Sequence, residues 1–189
     1  MKIGVLALQG AFREHRLMLE RCGADVVEVR SPEQLEEVQG LVIPGGESTT
    51  IGKMMVRWGL LKKIRERAAA GMGIYGTCAG MILLAKEIIG SDQPRLGLMD
   101  ITVKRNAFGR QRESFEADLD VPEFGAEPLR AVFIRAPYIE KAGKEVQVLA
   151  EVNGKIVIAR QDRLLATAFH PELTNSEQVH RYFIDMLKN

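Results

Sequence analysis

The first half of the chain alternates short, mainly apolar runs with segments that repeat apolar residues at helical spacing. The apolar runs are KIGVLAL (2–8), ADVVEVR (24–30), GLVI (40–43) and GIYGT (73–77). Between them the spacing predicts a helix that ends at Gly23, a helix start at Ser31 and helical stretches to about residue 70. Apolar strands that alternate with helices are typical of a parallel sheet covered on both faces. This half therefore predicts the core of an α/β fold.

The second half, after Gly97, is richer in strands and poorer in helices. AGMILLAKEI (79–88) is still predicted as one buried helix. The strand-like runs after it are ITVKR, ESFEADL, LRAVFIRAP, VQVLAEV, KIVIARQ and LLATAF. Asn153-Gly154 between two of these runs is typical of a β-hairpin, and residues 175–189 predict an amphipathic final helix. We expect an open, mainly parallel sheet with helices on both faces and an antiparallel β extension.

Composition narrows the function classes. The 189 residues suffice for one full domain, predicted to span 1–189. The 26 Lys and Arg nearly balance the 25 Asp and Glu, so net charge predicts no attraction to nucleic acid or an anionic membrane. No apolar run has membrane-spanning length, and the start has no small-residue cleavage site, so we expect a cytoplasmic protein.

The sequence contains two cysteines, Cys22 and Cys78. Neither belongs to a CxxC pair or a Cys/His cluster, so no metal site is predicted. A disulfide between them stays open from sequence, although a reduced compartment disfavours it.

Three loops with unusual residues each follow a predicted strand. They are PGGES (44–48), GTCAG (76–80) and HPE (170–172). Because ligands bind beyond the carboxyl ends of strands in open parallel sheets, we expect these loops to share one edge of the sheet.

The middle loop has the G-x-C-x-G form of a nucleophile elbow with cysteine in place of serine. Gly76 and Gly80 remove side chains that would collide at a sharp turn. Cys78 would sit there in a strained conformation with its sulfur exposed, at a helix N-terminus that favours the thiolate. A buried structural cysteine explains the pentapeptide equally well.

The other two loops offer partners for such a nucleophile. His170 can accept the thiol proton and Glu172 can orient the imidazole, although a histidine at a strand end is more often structural. Backbone N–H groups of Gly45-Gly46 and of Ala79 can form an oxyanion hole, while a tight turn alone would also explain the glycines. Neither GK[ST] nor GxGxxG is present, so we reject a nucleotide site.

Taken together and in this order, the three motifs resemble those of the class I, triad-type glutamine amidotransferases. GVLALQGAFREH, PGGESTTIGK, TCAGMILLA and RNAFGRQRESFE (105–116) are similar to the glutaminase subunits of pyridoxal 5′-phosphate synthases, over essentially the whole chain. The resemblance implies a flavodoxin-like fold and hydrolysis of L-glutamine to glutamate and ammonia through a γ-glutamyl thioester. It implies Cys78, His170 and Glu172 as the triad, Gly46 and Ala79 as oxyanion donors, and no cofactor.

The resemblance also implies a substrate site and a partner. The implied glutamine-binding residues are Gly46, Glu47, Ser48, Arg105, Ile134 and Arg135. From the residues alone, the two arginines are better explained as surface charges at strand ends. One domain accounts for the chain, and no phosphate cradle or Schiff-base lysine is recognisable in it. If the chain makes ammonia for synthesis, the acceptor site must therefore lie on another protein. The implied acceptor is the barrel-shaped synthase subunit, which builds pyridoxal 5′-phosphate from a pentose phosphate and a triose phosphate.

Other interpretations stay open. The chain could be the glutaminase subunit of another amidotransferase, a stand-alone cysteine hydrolase, or a regulatory subunit that has lost catalysis. His15 is either structural or close to a substrate or partner, and His180 is expected to face solvent. Arg110 and Arg112 are expected to be exposed, where a partner surface could meet them.

Overall fold

The computed structural model of the protein describes residues 1–108 and 114–188. Arg110 and Arg112, expected at the surface, lie outside these ranges. Within them the helices are α1 (Phe12–Arg21), α2 (Ser48–Arg57), α3 (Leu60–Ala69), α4 (Ala79–Leu84) and α5 (Gln178–Lys188). The strands are β1 (Lys2–Leu6), β2 (Asp25–Val29), β3 (Gly40–Ile43), β4 (Gly73–Thr77), β5 (Ala85–Ile88), β6 (Met99–Lys104), β7 (Ser114–Leu119), β8 (Leu129–Ile134), β9 (Tyr138–Ala142), β10 (Gln147–Val152), β11 (Lys155–Gln161) and β12 (Leu164–Thr167).

Five strands form the parallel half of the main sheet, in the order β2-β1-β3-β4-β12. Every residue of β3 and β4 is buried, which explains their unbroken apolar sequences. The last strand of the chain, β12, returns to the middle of the sheet and pairs with β4 in parallel register, Thr167 opposite Thr77. The carboxyl ends of β1, β3, β4 and β12 therefore lie side by side.

The antiparallel half continues from β12 through β11, β9 and β6, with β5 parallel to β6 at the far edge. Strand β10 pairs with β11 through the predicted hairpin, where Asn153 and Gly154 both adopt positive φ angles of 51° and 74°. Strands β7 and β8 form a separate antiparallel pair. The antiparallel extension is thus confirmed, and β9, which was not predicted, completes it.

Two predicted helices differ from the structure. The run 79–88 is not one helix, because α4 ends at Leu84 and the chain continues as β5, which pairs with β6. A short apolar run does not distinguish a helix from a buried strand by periodicity alone. The helix start at Ser31 is real and has the predicted capping box with Gln34, but it opens a short 3₁₀ helix, Pro32–Glu37.

Helices pack in two groups, α1 with α5 and α2 with α3 and α4. The predicted apolar face of α5 is buried at Val179, Phe183 and Met186. His180 is also fully buried, so its predicted exposure to solvent is wrong. In residues 1–108 and 114–188, no helix is long and apolar enough to cross a membrane.

Candidate active site

The loop between β4 and α4 forms the predicted elbow. Cys78 adopts φ 50° and ψ −104°, a strained conformation for a residue with a side chain, and its N–H donates to the Thr167 carbonyl over 2.8 Å. A Cβ on Gly76 would lie 2.4 Å from the Gly80 carbonyl oxygen, and one on Gly80 would lie 2.1 Å from that of Ile43. Both flanking positions therefore require glycine, as the sequence predicts.

The sulfur is less open than predicted. Cys78 is buried, with 8% of its surface exposed, and this surface faces a cavity rather than bulk solvent. The strained elbow thus presents the thiol to a pocket, where a bound molecule can reach it.

His170 and Glu172 lie at the end of β12, the strand next to the elbow strand. The 3₁₀ helix Pro171–Leu173 begins directly after His170 and turns Glu172 back toward the imidazole. His170 Nδ1 and Glu172 Oε1 are 2.7 Å apart, and the Glu172 side chain is fully buried. Gly45 packs against the ring, since a Cβ there would lie 2.4 Å from His170 Cε1 and 3.5 Å from Cys78 Cβ. All three loops therefore meet at one point.

Ionisation of these groups is coupled. Burial lowers the pKa of His170, but hydrogen bonds and charge interactions with Cys78 and Glu172 outweigh it and raise the pKa to about 10. Burial raises the pKa of Glu172, while electrostatic interactions with His15 and His170 and the hydrogen bond to His170 lower it, with a net shift downward. The arrangement therefore favours an imidazolium held between a carboxylate and a sulfur.

A cavity of about 430 Å³ opens in front of Cys78 and His170, within the range of about 300–1,000 Å³ typical of small-ligand sites. Glu172 lies behind His170 and does not line the cavity. Every predicted oxyanion or glutamine-binding residue lines it: Gly46, Glu47, Ser48, Ala79, Arg105, Ile134 and Arg135. The sequence missed four further lining residues, which are Gln9, Ile82, Asn106 and Pro137.

Gln9 and Glu47 support the loop that follows β3. The Gln9 side-chain oxygen accepts a hydrogen bond from the Glu47 N–H over 2.8 Å. The Glu47 carboxylate caps α2 by accepting from the N–H groups of Thr49 and Thr50. Gln9 lies beyond the carboxyl end of β1, as Cys78 lies beyond the carboxyl end of β4. Its place after a predicted strand is the sequence feature that could have identified Gln9 as a site residue.

Gln93 organises the opposite wall and was missed because it follows no predicted strand. Its buried side-chain oxygen accepts from Arg105 over 2.9 Å and from the Ser48 hydroxyl over 3.4 Å. The Arg105 guanidinium, predicted from resemblance alone, is therefore held at the cavity by a buried amide. This contact distinguishes it from a surface charge.

Strained backbone is concentrated at the cavity. In the described part of the chain, five residues other than glycine have positive φ angles, and three of them, Cys78, Asn106 and Arg135, line the cavity. The other two, Asn153 and Asp162, lie in turns between antiparallel strands. Such strain marks functional sites because the surrounding structure must hold it in place.

Both cysteines are free thiols, so the disulfide left open by the sequence does not form in this structure. Across the described ranges, no group of three or more His, Cys, Asp and Glu side chains is arranged to hold a metal ion. The Cys78 thiol beside the His170–Glu172 pair gives the site the chemistry of a nucleophile with an adjacent acid–base pair.

Comparison with known proteins identifies the family. The model of the SNO glutamine amidotransferase family matches residues 5–189. The chain belongs to the SNO glutamine amidotransferase family. It is 65% identical over 98% of its length to pyridoxal 5′-phosphate synthase subunit PdxT of Pelotomaculum thermopropionicum, covering 94% of that protein. It is 61% identical to the PdxT of Desulforamulus reducens, with 100% of both chains covered.

Solved structures agree with this assignment. A crystal structure of a glutamine amidotransferase superposes with a TM-score of 0.94 at 50% identity, covering 99% of both chains. PurLQS from Thermotoga maritima superposes with a TM-score of 0.71 at 17% identity, over 98% of both chains, and shares the fold. The predicted α/β, flavodoxin-like fold of class I glutamine amidotransferases is confirmed for this family member.

Proposed function

We propose that this chain is the glutaminase subunit of a pyridoxal 5′-phosphate synthase, and that residues 1–189 act as a single glutaminase domain. The observation that carries the proposal is the meeting of Cys78, the His170–Glu172 pair and the Arg105 guanidinium at one cavity. The PdxT relatives support the same assignment over nearly their whole length. Glutamine has the size for the cavity and the charges that its walls complement.

His170 takes the proton of the Cys78 thiol, and the reaction begins with attack of the resulting thiolate on the glutamine side-chain carboxamide carbon. The N–H groups of Gly46 and Ala79 stabilise the developing oxyanion. The C–N bond then breaks, His170 gives its proton to the departing nitrogen, and ammonia leaves a γ-glutamyl thioester. His170 next takes a proton from water, whose oxygen attacks the thioester. The C–S bond breaks, the thiolate is restored, and glutamate leaves.

Glu172 holds the imidazole through Nδ1, so that Nε2 is the nitrogen that exchanges protons with the reacting groups. Its buried negative charge stabilises the imidazolium that exists before ammonia departs. Glu172 touches no substrate atom, since it lies behind His170 and outside the cavity lining.

Recognition of the amino-acid end of glutamine falls to the far wall of the cavity. The guanidinium groups of Arg105 and Arg135 suit its α-carboxylate. The Glu47 carboxylate suits its α-ammonium through oxygen lone pairs that the α2 cap leaves free. Ser48 and Ile134 complete the lining beside them.

Ammonia is the useful product, and the acceptor lies on the synthase subunit, which forms pyridoxal 5′-phosphate from a pentose phosphate and a triose phosphate. We place this complex in the cytoplasm, a reducing compartment where free thiols such as Cys22 and Cys78 persist.

The test is release of ammonia and glutamate from L-glutamine, with and without the synthase subunit, using Cys78→Ala as the control. The proposal expects turnover that rises with the synthase subunit and disappears in the variant. Equal turnover without the synthase subunit would indicate a stand-alone hydrolase or another amidotransferase. Absence of glutamine turnover in both conditions would overturn the glutaminase assignment.

A further inference from the structure

Two buried histidines lie behind the proposed triad and have no part in the mechanism described above. His15 belongs to α1 and His180 to α5, and both are fully buried. Neither lines the glutamine cavity. Two fully buried imidazoles cost desolvation free energy unless their nitrogens are paired, so their contacts need an explanation.

Their contacts lead directly to Glu172. His15 Nδ1 and His180 Nε2 are 2.8 Å apart. On its other side, His15 Nε2 lies 3.3 Å from Glu172 Oε2, the carboxylate oxygen that does not contact His170. This is an ion-pair contact, and neither His15 Nε2 nor Glu172 Oε2 has a hydrogen-bond partner in the described part of the chain. The four side chains thus form one buried series, in the order His180, His15, Glu172, His170.

The series admits one arrangement of protons when His15 and His180 are neutral. An ionised carboxylate only accepts, so His15 must carry its proton on Nε2, facing Glu172. His15 Nδ1 is then an acceptor, and His180 must donate to it from Nε2. His180 Nδ1 is left without a proton, which agrees with its lack of a partner among the described residues.

We propose that His15 is a positioning residue for the proposed glutaminase reaction, holding the second oxygen of Glu172, and that His180 fixes the tautomer of His15. The inference rests on the proposed function, because it assigns a role through Glu172 and His170. In this arrangement the His15 N–H is the donor nearest the second oxygen of Glu172, 3.3 Å away, while the first oxygen faces His170. A donor at this oxygen opposes rotation of the carboxylate away from the imidazole.

The surroundings keep the two rings neutral. Burial lowers the pKa of His15, and the positive charge of His170 lowers it further, against the opposing effect of Glu172. Burial lowers the pKa of His180 well below its usual range. The Tyr75 ring meets both imidazoles edge to face, with centroids 6.2 Å from His15 and 5.9 Å from His180. Neutral imidazole rings can hold the Glu172 carboxylate in place without adding charge to the site.

The first test determines directly, in the unmodified protein, which ring nitrogen of each histidine carries a proton. The chain contains only three histidines, so ¹⁵N-histidine labelling gives three rings to assign by long-range ¹H–¹⁵N correlation. The proposal expects His15 and His180 to be neutral at pH 7 with their protons on Nε2. A proton on Nδ1 of His15 would overturn it, because a lone pair would then face the carboxylate. This readout does not depend on glutamine turnover.

The second test uses a matched pair of substitutions at one position. In His15→Gln the side-chain amide reaches the place of Nε2 and can still donate to Glu172. In His15→Asn the amide reaches the place of Nδ1 and cannot. Asn is one methylene shorter than Gln and leaves the larger void, so a somewhat larger loss of Tm is expected in His15→Asn. Glu20→Gln, an exposed position of the same helix, serves as the control.

The expected effect is on kcat rather than KM. His15→Asn should lower kcat on the order of 10-fold, as loss of outer partners of functional imidazoles does, with KM within about twofold of wild type. His15→Gln should recover most of that loss. Equal kcat in the two variants would show that His15 only fills space and would overturn the positioning role. A wild-type protein without glutamine turnover would instead refute the proposed function, while the NMR result would still decide the proton arrangement.

Discussion

The two halves of the main sheet contribute different parts of the candidate site. The parallel half supplies Cys78, His170 and Gly46 from the ends of three adjacent strands, β4, β12 and β3. The antiparallel side supplies Arg105 after β6, and the separate β7–β8 pair beside it supplies Ile134 at the end of β8 and Arg135 directly after it. The reacting groups come from the centre of the fold. The two guanidinium groups suited to the α-carboxylate of glutamine come from its periphery, whereas Glu47, suited to the α-ammonium, follows β3.

This difference has a physical basis. Strand ends in the parallel half are fixed by buried neighbours on both sides, so the elbow and the imidazole have little freedom. Arg105 depends instead on one side-chain contact, its 2.9 Å hydrogen bond to Gln93. We therefore expect substitutions at the reacting groups of the parallel half to change kcat and substitutions on the antiparallel side to change KM.

The largest expected effect is that of Glu172→Gln. The amide cannot stabilise the imidazolium and favours the wrong tautomer of His170, so kcat should fall on the order of 10³–10⁴-fold, as in other triads. Steady-state kinetics with the synthase subunit present would measure it. A loss confined to KM would contradict the assignment of Glu172 to the reacting half.

The same variant changes the pH dependence of stability. The pKa of His170 is raised to about 10 in the folded protein, against about 6.5 when unfolded. Its contribution to the free energy of unfolding is therefore complete below pH 6.5 and is lost as pH rises through 10. Each pKa unit corresponds to about 1.36 kcal/mol, so wild type should lose a few kcal/mol over this window. Urea unfolding at pH 6.5 and pH 10 should show a smaller loss of unfolding free energy in Glu172→Gln than in wild type. Equal losses in the two proteins would refute the raised pKa of His170.

A smaller effect is expected for Gly45→Ala. The new Cβ would lie 2.4 Å from His170 Cε1, which displaces the imidazole from Cys78 and lowers kcat about 100-fold. Gly23→Ala is the control, because its Cβ meets open space and only its positive φ of 84° is strained. The control should lose about 1 kcal/mol of stability and keep its kcat. Similar kcat values in the two variants would argue against close packing on His170.

On the antiparallel side, Arg105→Met should raise KM for glutamine about 10- to 100-fold, because it removes a charge-assisted hydrogen bond to the substrate. Gln93→Leu should raise KM less, since the guanidinium remains but loses its anchor. Initial rates over a range of glutamine concentrations measure both. A fall in kcat without a change in KM would place Arg105 in the reacting machinery and remove the contrast between the halves.

The parallel half is also the part that the sequence predicts best. β4 was predicted with its observed bounds, and the glycines around Cys78 indicated the elbow, because local sterics decide both. The cavity-facing position of Arg105 rested on resemblance, since no local pattern shows that a distant amide at Gln93 holds it. The buried His15–His180 pair was missed for the same reason, because α1 and α5 are joined by tertiary packing across most of the chain.

The smallest effect is expected at a strained position away from the cavity. Asn153 has a φ of 51°, close to the 50° of Cys78, but lies in the β10–β11 hairpin. Asn153→Ala should cost about 1 kcal/mol, a few degrees in Tm, and leave glutamine turnover unchanged. Asn153→Gly should restore the Tm, because glycine adopts positive φ without strain. A loss of turnover in Asn153→Ala would mean that the hairpin and the cavity are coupled. Unchanged turnover would mean that a positive φ angle matters for function only where it aims a side chain at the substrate.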